Sequence, residues 1–377
     1  MATFRKYTLH IVLFIITFTT TTLAGSEWIH GRGFLMNDTN IGWSEWMTWE
    51  KFLKGLAFSV PFLGFLTVHE FGHYFAARLY KARVTLPFYI PMWLGLSFSI
   101  GTMGAFIQIR SQLKSRKEFF DIGIAGPLAG FVVALLVLVY GLLTLPPPEY
   151  IFQIHPEWEK YGLDYAKYVY TETENDLALG KNLLFWVLES LLADPKAMPN
   201  SHEIIHYPWL FAGYLGLLFT ALNLIPIGQL DGGHILYALI GNRNHRIVSP
   251  LLLACFVTYA GLGSVSPYWS NEDLLIYVPL YLFFLYMLFS RVSENRSLVL
   301  SYALTVFTVQ FVINFFYPTW EGYSGWFVFA FVLGRFLGVY HPDAPDNTPL
   351  NMQRKILGWL SLIIFILCFS PKPFMMN

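Results

Sequence analysis

The chain has 377 residues, of which 55% are hydrophobic, 18% aromatic and 13% charged, with 24 basic residues balancing 24 acidic ones. Soluble domains carry about a quarter charged residues, so the composition excludes an ordinary soluble domain and reads as a polytopic membrane protein. The zero net charge gives no argument for a nucleic-acid partner. Cys255 and Cys368 both fall in apolar runs, which leaves neither a disulfide framework nor a Cys-based zinc site.

Apolar runs of spanning length predict an all-α fold of about nine transmembrane helices, near 8–24, 53–80, 120–145, 207–227, 247–265, 273–290, 298–317, 324–340 and 356–370. The first run follows Arg5 and Lys6 and ends in Leu23-Ala24-Gly25, so a signal peptide is the alternative reading. With a cytoplasmic N-terminus, the inner loops collect Arg78, Lys81, Arg83, Arg110, Lys114, Arg116 and Lys117. The outer segment 146–205 instead carries ten acids against four lysines, which satisfies the positive-inside bias.

Two stretches do not read as spans. Residues 84–110 hold two prolines and three glycines among β-branched and aromatic residues. That composition predicts short strands or a re-entrant hairpin on the cytoplasmic side. The outer loop opens with Pro146-Pro147-Pro148 and contains Lys181 to Leu192, too short to span and expected to be an interfacial helix.

Chemistry concentrates in His69-Glu70-Phe71-Gly72-His73, inside the second span. On a helix, His69 and His73 share one face and can bind one zinc, with Glu70 beside the metal as general base. Charged and polar groups at membrane depth are costly, so a functional role is the default expectation. The bland alternative is a pair of buried, hydrogen-bonded histidines. A second polar stretch, Asn223 to His234, contains Pro226 and Leu230-Asp231-Gly232-Gly233. Asp231 offers a third, carboxylate ligand; its competing role is to cap the helix that follows. His234 is an alternative ligand. The polar His341-Pro342-Asp343 reads as a loop without one.

HEFGH in one span and NLIPIGQLDGG in a later one together resemble the site-2 protease family of intramembrane zinc metalloproteases. Gly101-Thr-Met-Gly104-Ala105 and Ala125-Gly126-Pro127 add weaker matches, and the resemblance covers roughly residues 55–240. It implies one Zn2+ held by His69, His73 and Asp231, with Glu70 as catalytic base and Asn223 orienting substrate or stabilising the oxyanion. It also implies a catalytic core over 51–245, between an N-terminal span or signal peptide with its outer loop (1–50) and C-terminal helices (246–377). Gly101, Gly104, Ala105 and Ile107 are the expected substrate-binding segment, clamping an extended chain by edge-strand addition.

The implied substrate is a membrane protein with a transmembrane helix, cut within the lipid bilayer near the cytoplasmic side. A catalytically inactive membrane binding or assembly factor of the same fold is the alternative. The bacterial inner membrane is the expected location, with a plastid membrane as the second possibility. The loop 146–205 is too short for a complete PDZ domain, and further spans replace a CBS module.

Overall fold

The computed structural model describes residues 2–35, 46–96, 99–170 and 177–376. In chain order the elements are α1 (Ala2–His30), α2 (Trp49–Lys54), α3 (Leu56–Leu79), β1 (Phe88–Met92), β2 (Gly101–Phe106), α4 (Arg116–Leu143), α5 (Ala166–Val169), β3 (Leu177–Leu179) and α6 (Leu183–Leu192). There follow α7 (Pro208–Leu224), α8 (Asp231–Ala260), α9 (Asn271–Phe289), α10 (Arg296–Phe316), α11 (Trp326–Val332), α12 (Met352–Cys368) and β4 (Phe374–Met376). Short 3₁₀ turns at Pro148–Gln153, Pro156–Asp164 and Ile204–His206 punctuate the long loop.

The protein is mostly helical, and each predicted apolar run falls largely on a helix. Five helical stretches among the described residues, rather than nine, have the length and apolarity to cross a bilayer: Tyr7–His30, Trp49–Leu79, Arg116–Leu143, Asn271–Phe289 and Arg296–Phe316. The shortfall has local causes. Helix α7 stops two residues before Pro226, which cannot continue a helix and disfavours helical backbone at Ile225. Helix α8 is broken at Gly241, whose φ of 80° only glycine adopts freely. Helix α11 passes after seven residues into a π turn, Leu333–Leu337.

Two compact units emerge: Met1–Gln112, Ala125–Leu222 and Ile364–Asn377 form one, and Leu113–Ile124 with Asn223–Ile363 the other. In the first unit, α1 and α3 meet through small residues. A Cβ at Gly25 would lie 2.8 Å from the Gly55 carbonyl oxygen, and the Thr22 and Ser59 hydroxyls hydrogen-bond at 2.8 Å. Thr19, Thr20 and Thr22 return their hydroxyls to carbonyls four residues back, while the Thr21 hydroxyl is buried with no hydrogen-bond partner among the described residues.

Strands β1 and β2 pair antiparallel, from Phe88 opposite Phe106 to Met92 opposite Gly101, with an irregularity between Tyr89 and Pro91. Proline donates nothing to a ladder, and such bulges are where it is tolerated. The hairpin is fastened to α1 by Thr20 Oγ1 donating to the Gly101 carbonyl at 2.7 Å and Trp28 Nε1 to Ser99 at 2.9 Å. Strands β3 and β4 form a second antiparallel pair, Leu177 opposite Met376. Sequence patterning did not predict it. Helix α6 begins two residues after the predicted Lys181, where Asn182 caps it by accepting from the Phe185 amide.

In the second unit, the N-terminal turns of α4 are anchored by an ion pair and by a buried arginine. Arg354 Nε and Nη2 grip both carboxylate oxygens of Asp121 at 2.7 and 2.8 Å. The buried Arg116 donates to the Ala238 and Asn347 carbonyls at 2.6 and 3.1 Å, beside the Gly241 break. Its guanidinium thereby satisfies backbone that the broken helix leaves open.

Candidate active site

In the first unit, α3 carries His69, Glu70 and His73, all less than a tenth exposed. One helical turn apart, the two imidazoles stand nearly edge to face, with Nε2 atoms 3.1 Å apart. Ligand atoms around a tetrahedral zinc with bonds of 2.0–2.1 Å lie about 3.3 Å apart. The pair therefore fits a shared metal ion.

Helix α4 shapes the space for those rings. A Cβ at Gly126 would collide with His73 Nε2, and one at Gly130 would lie 3.1 Å from both Cβ and Nδ1 of His69. Gly72, within HEFGH itself, faces the Ala125 carbonyl oxygen, which a Cβ would approach to 2.6 Å. The glycines of Ala125-Gly126-Pro127 and the next turn thus form a cradle that any side chain would fill. In the sequence Ala125-Gly126-Pro127 stands only as a motif match; its contact with the histidine rings is what the structure adds.

The hairpin is tied to the same helix. Thr67, two residues before His69, shares a 2.7 Å hydrogen bond with the Tyr89 hydroxyl of β1. Of the expected substrate-binding residues, Gly101, Gly104 and Ala105 lie on β2, and Ile107 follows its last residue. Gly104 has a φ of 108°, a backbone that L side chains resist, and its amide is held 3.0 Å from Thr102 Oγ1. Among the described residues β2 pairs with β1 alone, and Met103 and Phe106 are 63% and 49% exposed.

In the second unit, half-buried Asn223 lies in the last turn of α7, and Asp231 is the first residue of α8. Leu230 takes the capping position, so Asp231 sits inside the first turn, where a carboxylate suits the helix dipole. The connection between them is tight. A Cβ at Gly233 or Gly232 would run into the Gly228 or Leu224 carbonyl, so both glycines of LDGG are needed for the turn to fold back on α8.

Ser249 clamps that turn. Its hydroxyl accepts from the Gly228 amide at 3.0 Å and donates to Val339 at 2.7 Å. Nothing in the sequence pattern marked Ser249. His234 is held 2.7 Å from His341 through Nδ1 and stacks on Phe119. His341 is buried at 2% exposure against the Tyr237 ring, so the expected polar loop turns inward at that residue.

The sequence model of Peptidase family M50 matches residues 57–262, more than half of the chain and inclusive of both motifs. The "Probable zinc metalloprotease EGY1, chloroplastic" of Oryza sativa subsp. japonica is 35% identical over 173 residues, 46% of this chain and 26% of the relative. The protein of the same name from Arabidopsis thaliana is 30% identical over 193 residues, half of this chain and 30% of the relative. The "Probable zinc metalloprotease EGY2, chloroplastic" of Oryza sativa subsp. indica is 29% identical over 202 residues, 54% of this chain and 32% of the relative. These matches span a third or less of the relatives' length. The relatives are named as chloroplastic, so the expected bacterial inner membrane finds no support in them. No solved structure matches the chain. With its HEFGH helix, its LDGG turn and the family match over both, the chain belongs to Peptidase family M50.

Proposed function

We propose that this protein is an intramembrane zinc metalloprotease that hydrolyses peptide bonds of membrane proteins within or near a transmembrane helix, towards the cytoplasmic side. The observation that carries the reading is the buried His69–His73 pair on an apolar helix, set in a glycine cradle with facing Nε2 atoms.

His69 and His73 are two ligands of one zinc, and Asp231 is the third. A carboxylate in the first turn after a tight, glycine-dependent connection suits that role better than a cap, since Leu230 holds the capping position. Zinc held there would supply Lewis acidity to a water and to the scissile carbonyl. Glu70, buried beside the histidines, takes the proton of the attacking water and returns it to the leaving amine. Asn223 donates its carboxamide to the oxygen on which negative charge develops.

A helical substrate hides its carbonyls in its own hydrogen bonds, so it must be extended to react. Strand β2 supplies an edge for that at Gly104 and Ala105, continued by Ile107 just beyond it, while Gly101 starts the strand against α1. The Thr67–Tyr89 bond keeps the hairpin near the HEFGH turn. In this proposal the catalytic core covers 51–245, the nine apolar runs all lie in the membrane, and 84–110 is re-entrant from the cytoplasm. The basic inner loops and acidic 146–205 support that orientation.

The test is cleavage of a panel of single-span membrane proteins co-reconstituted with the protein in liposomes. Wild type should cleave at least one member within or beside its span, and Glu70→Gln should not while keeping its zinc. A zinc-loaded wild type that binds the panel but cuts none of it would instead mark an inactive binding factor.

A further inference from the structure

A second cluster of metal-binding side chains lies in the long loop of the first unit, outside the HEFGH helix. His155 precedes the Pro156–Asp164 turn, while Glu203 precedes and His206 ends the short 3₁₀ turn at Ile204–His206. The spacing i, i+3 on a 3₁₀ turn eclipses two side chains, which puts the Glu203 carboxylate beneath the His206 ring. Three ligand atoms then converge. His206 Nε2 lies 3.5 Å from His155 Nε2 and 3.5 Å from Glu203 Oε2, and His155 Nε2 lies 3.9 Å from the same oxygen.

Those separations are long for hydrogen bonds, which close at 2.7–3.2 Å. They are near the ligand-to-ligand spacing of about 3.3 Å around a tetrahedral zinc. Glu203 is 2% exposed, and among the described residues its Oε2 accepts no hydrogen bond. An unbonded carboxylate oxygen taken out of water is costly unless something cationic sits against it.

Outer partners orient both rings towards the centre. His206 Nδ1 is 2.6 Å from the Trp28 carbonyl oxygen, so it carries the proton and leaves Nε2 a lone pair facing inward. His155 Nδ1 faces the Glu157 carboxylate at 3.4 Å, which sets the same tautomer. Trp158 stacks on His155 with ring centroids 3.7 Å apart. Gly31 closes the top: its φ is +62°, and a Cβ there would lie 3.1 Å from His206 Cε1.

We propose that His155, Glu203 and His206 form a second divalent-metal site, of the zinc type, that ties the start of the long loop to its end. Two imidazoles and a carboxylate leave a fourth tetrahedral position open. His155, whose side chain is 24% exposed, is the route of entry. The site lies apart from HEFGH in sequence, and its occupancy does not depend on the proposed protease chemistry.

The test is zinc per chain, by elemental analysis, in detergent-purified full-length protein. Wild type should hold two, and His69→Ala/His73→Ala should hold one. Adding the isosteric Glu203→Gln to that double variant should remove the last. His155→Ala, at the rim where folding is least at risk, should do the same. A monodisperse His69→Ala/His73→Ala protein without zinc, or one whose zinc survives both Glu203→Gln and His155→Ala, would overturn the site.

Discussion

Two of the histidine clusters among the described residues are built in opposite ways. On α3, His69 and His73 come together because a helix repeats every 3.6 residues, so four positions of sequence suffice. In the loop, His155 meets Glu203 and His206 only because some fifty residues fold back, with the Trp28 carbonyl orienting a ring from a third segment. The helical pair has the buried carboxylate of Glu70 next to it in sequence and glycines of a second helix around it. The loop cluster has a stacked tryptophan and outer partners, the Trp28 carbonyl and the Glu157 carboxylate, that fix its tautomers. Local geometry suits a site whose ligands must be held in register for chemistry; a long-range site suits a clamp, since its ion closes a chain loop.

Substitutions can break that contrast, and the largest effect belongs to the base. Glu70→Gln should lower cleavage by about 10²–10⁴-fold with zinc content unchanged; loss of zinc instead would make Glu70 a ligand. Next comes the cradle. Gly126→Ala sets a methyl against His73 Nε2, and a shift of about 1 Å in a reacting group costs on the order of 10²-fold. Gly130→Ala, where the approach to His69 is 3.1 Å, should cost less. Equal effects in the two variants would mean that the cradle does not act through the rings.

The hairpin should give smaller effects. Ile107→Pro removes one amide from the edge offered to substrate and should reduce cleavage about tenfold with zinc retained, the worth of one backbone hydrogen bond. Unchanged cleavage would remove edge-strand binding from the account. Thr67→Val breaks the bond to Tyr89, and a loss of about two- to fivefold is expected, seen as a raised KM rather than a lowered kcat.

What could be read in the sequence follows the same division. HEFGH and LDGG were legible because their geometry is local: a helical turn in one case, a proline- and glycine-broken helix in the other. The strands in 84–110 were legible from Pro91, the glycines and the β-branched residues around them. Span lengths were not, because hydropathy does not register the φ of 80° at Gly241 or the π turn before Gly338. Ser249 was invisible for another reason, since its partners Gly228 and Val339 are distant in sequence. Glu203-Ile-Ile-His206 was a usable sign of the loop site, but only if the segment was known to be a 3₁₀ turn.

The central claim is that HEFGH and LDGG serve one zinc, and Asp231 is its most exposed point. Zinc per chain should be measured by elemental analysis in Glu203→Gln, which silences the loop site, with and without Asp231→Ala. The account predicts one zinc falling to none. One zinc in both proteins would contradict it and move the third ligand elsewhere, with His234 the first residue to examine.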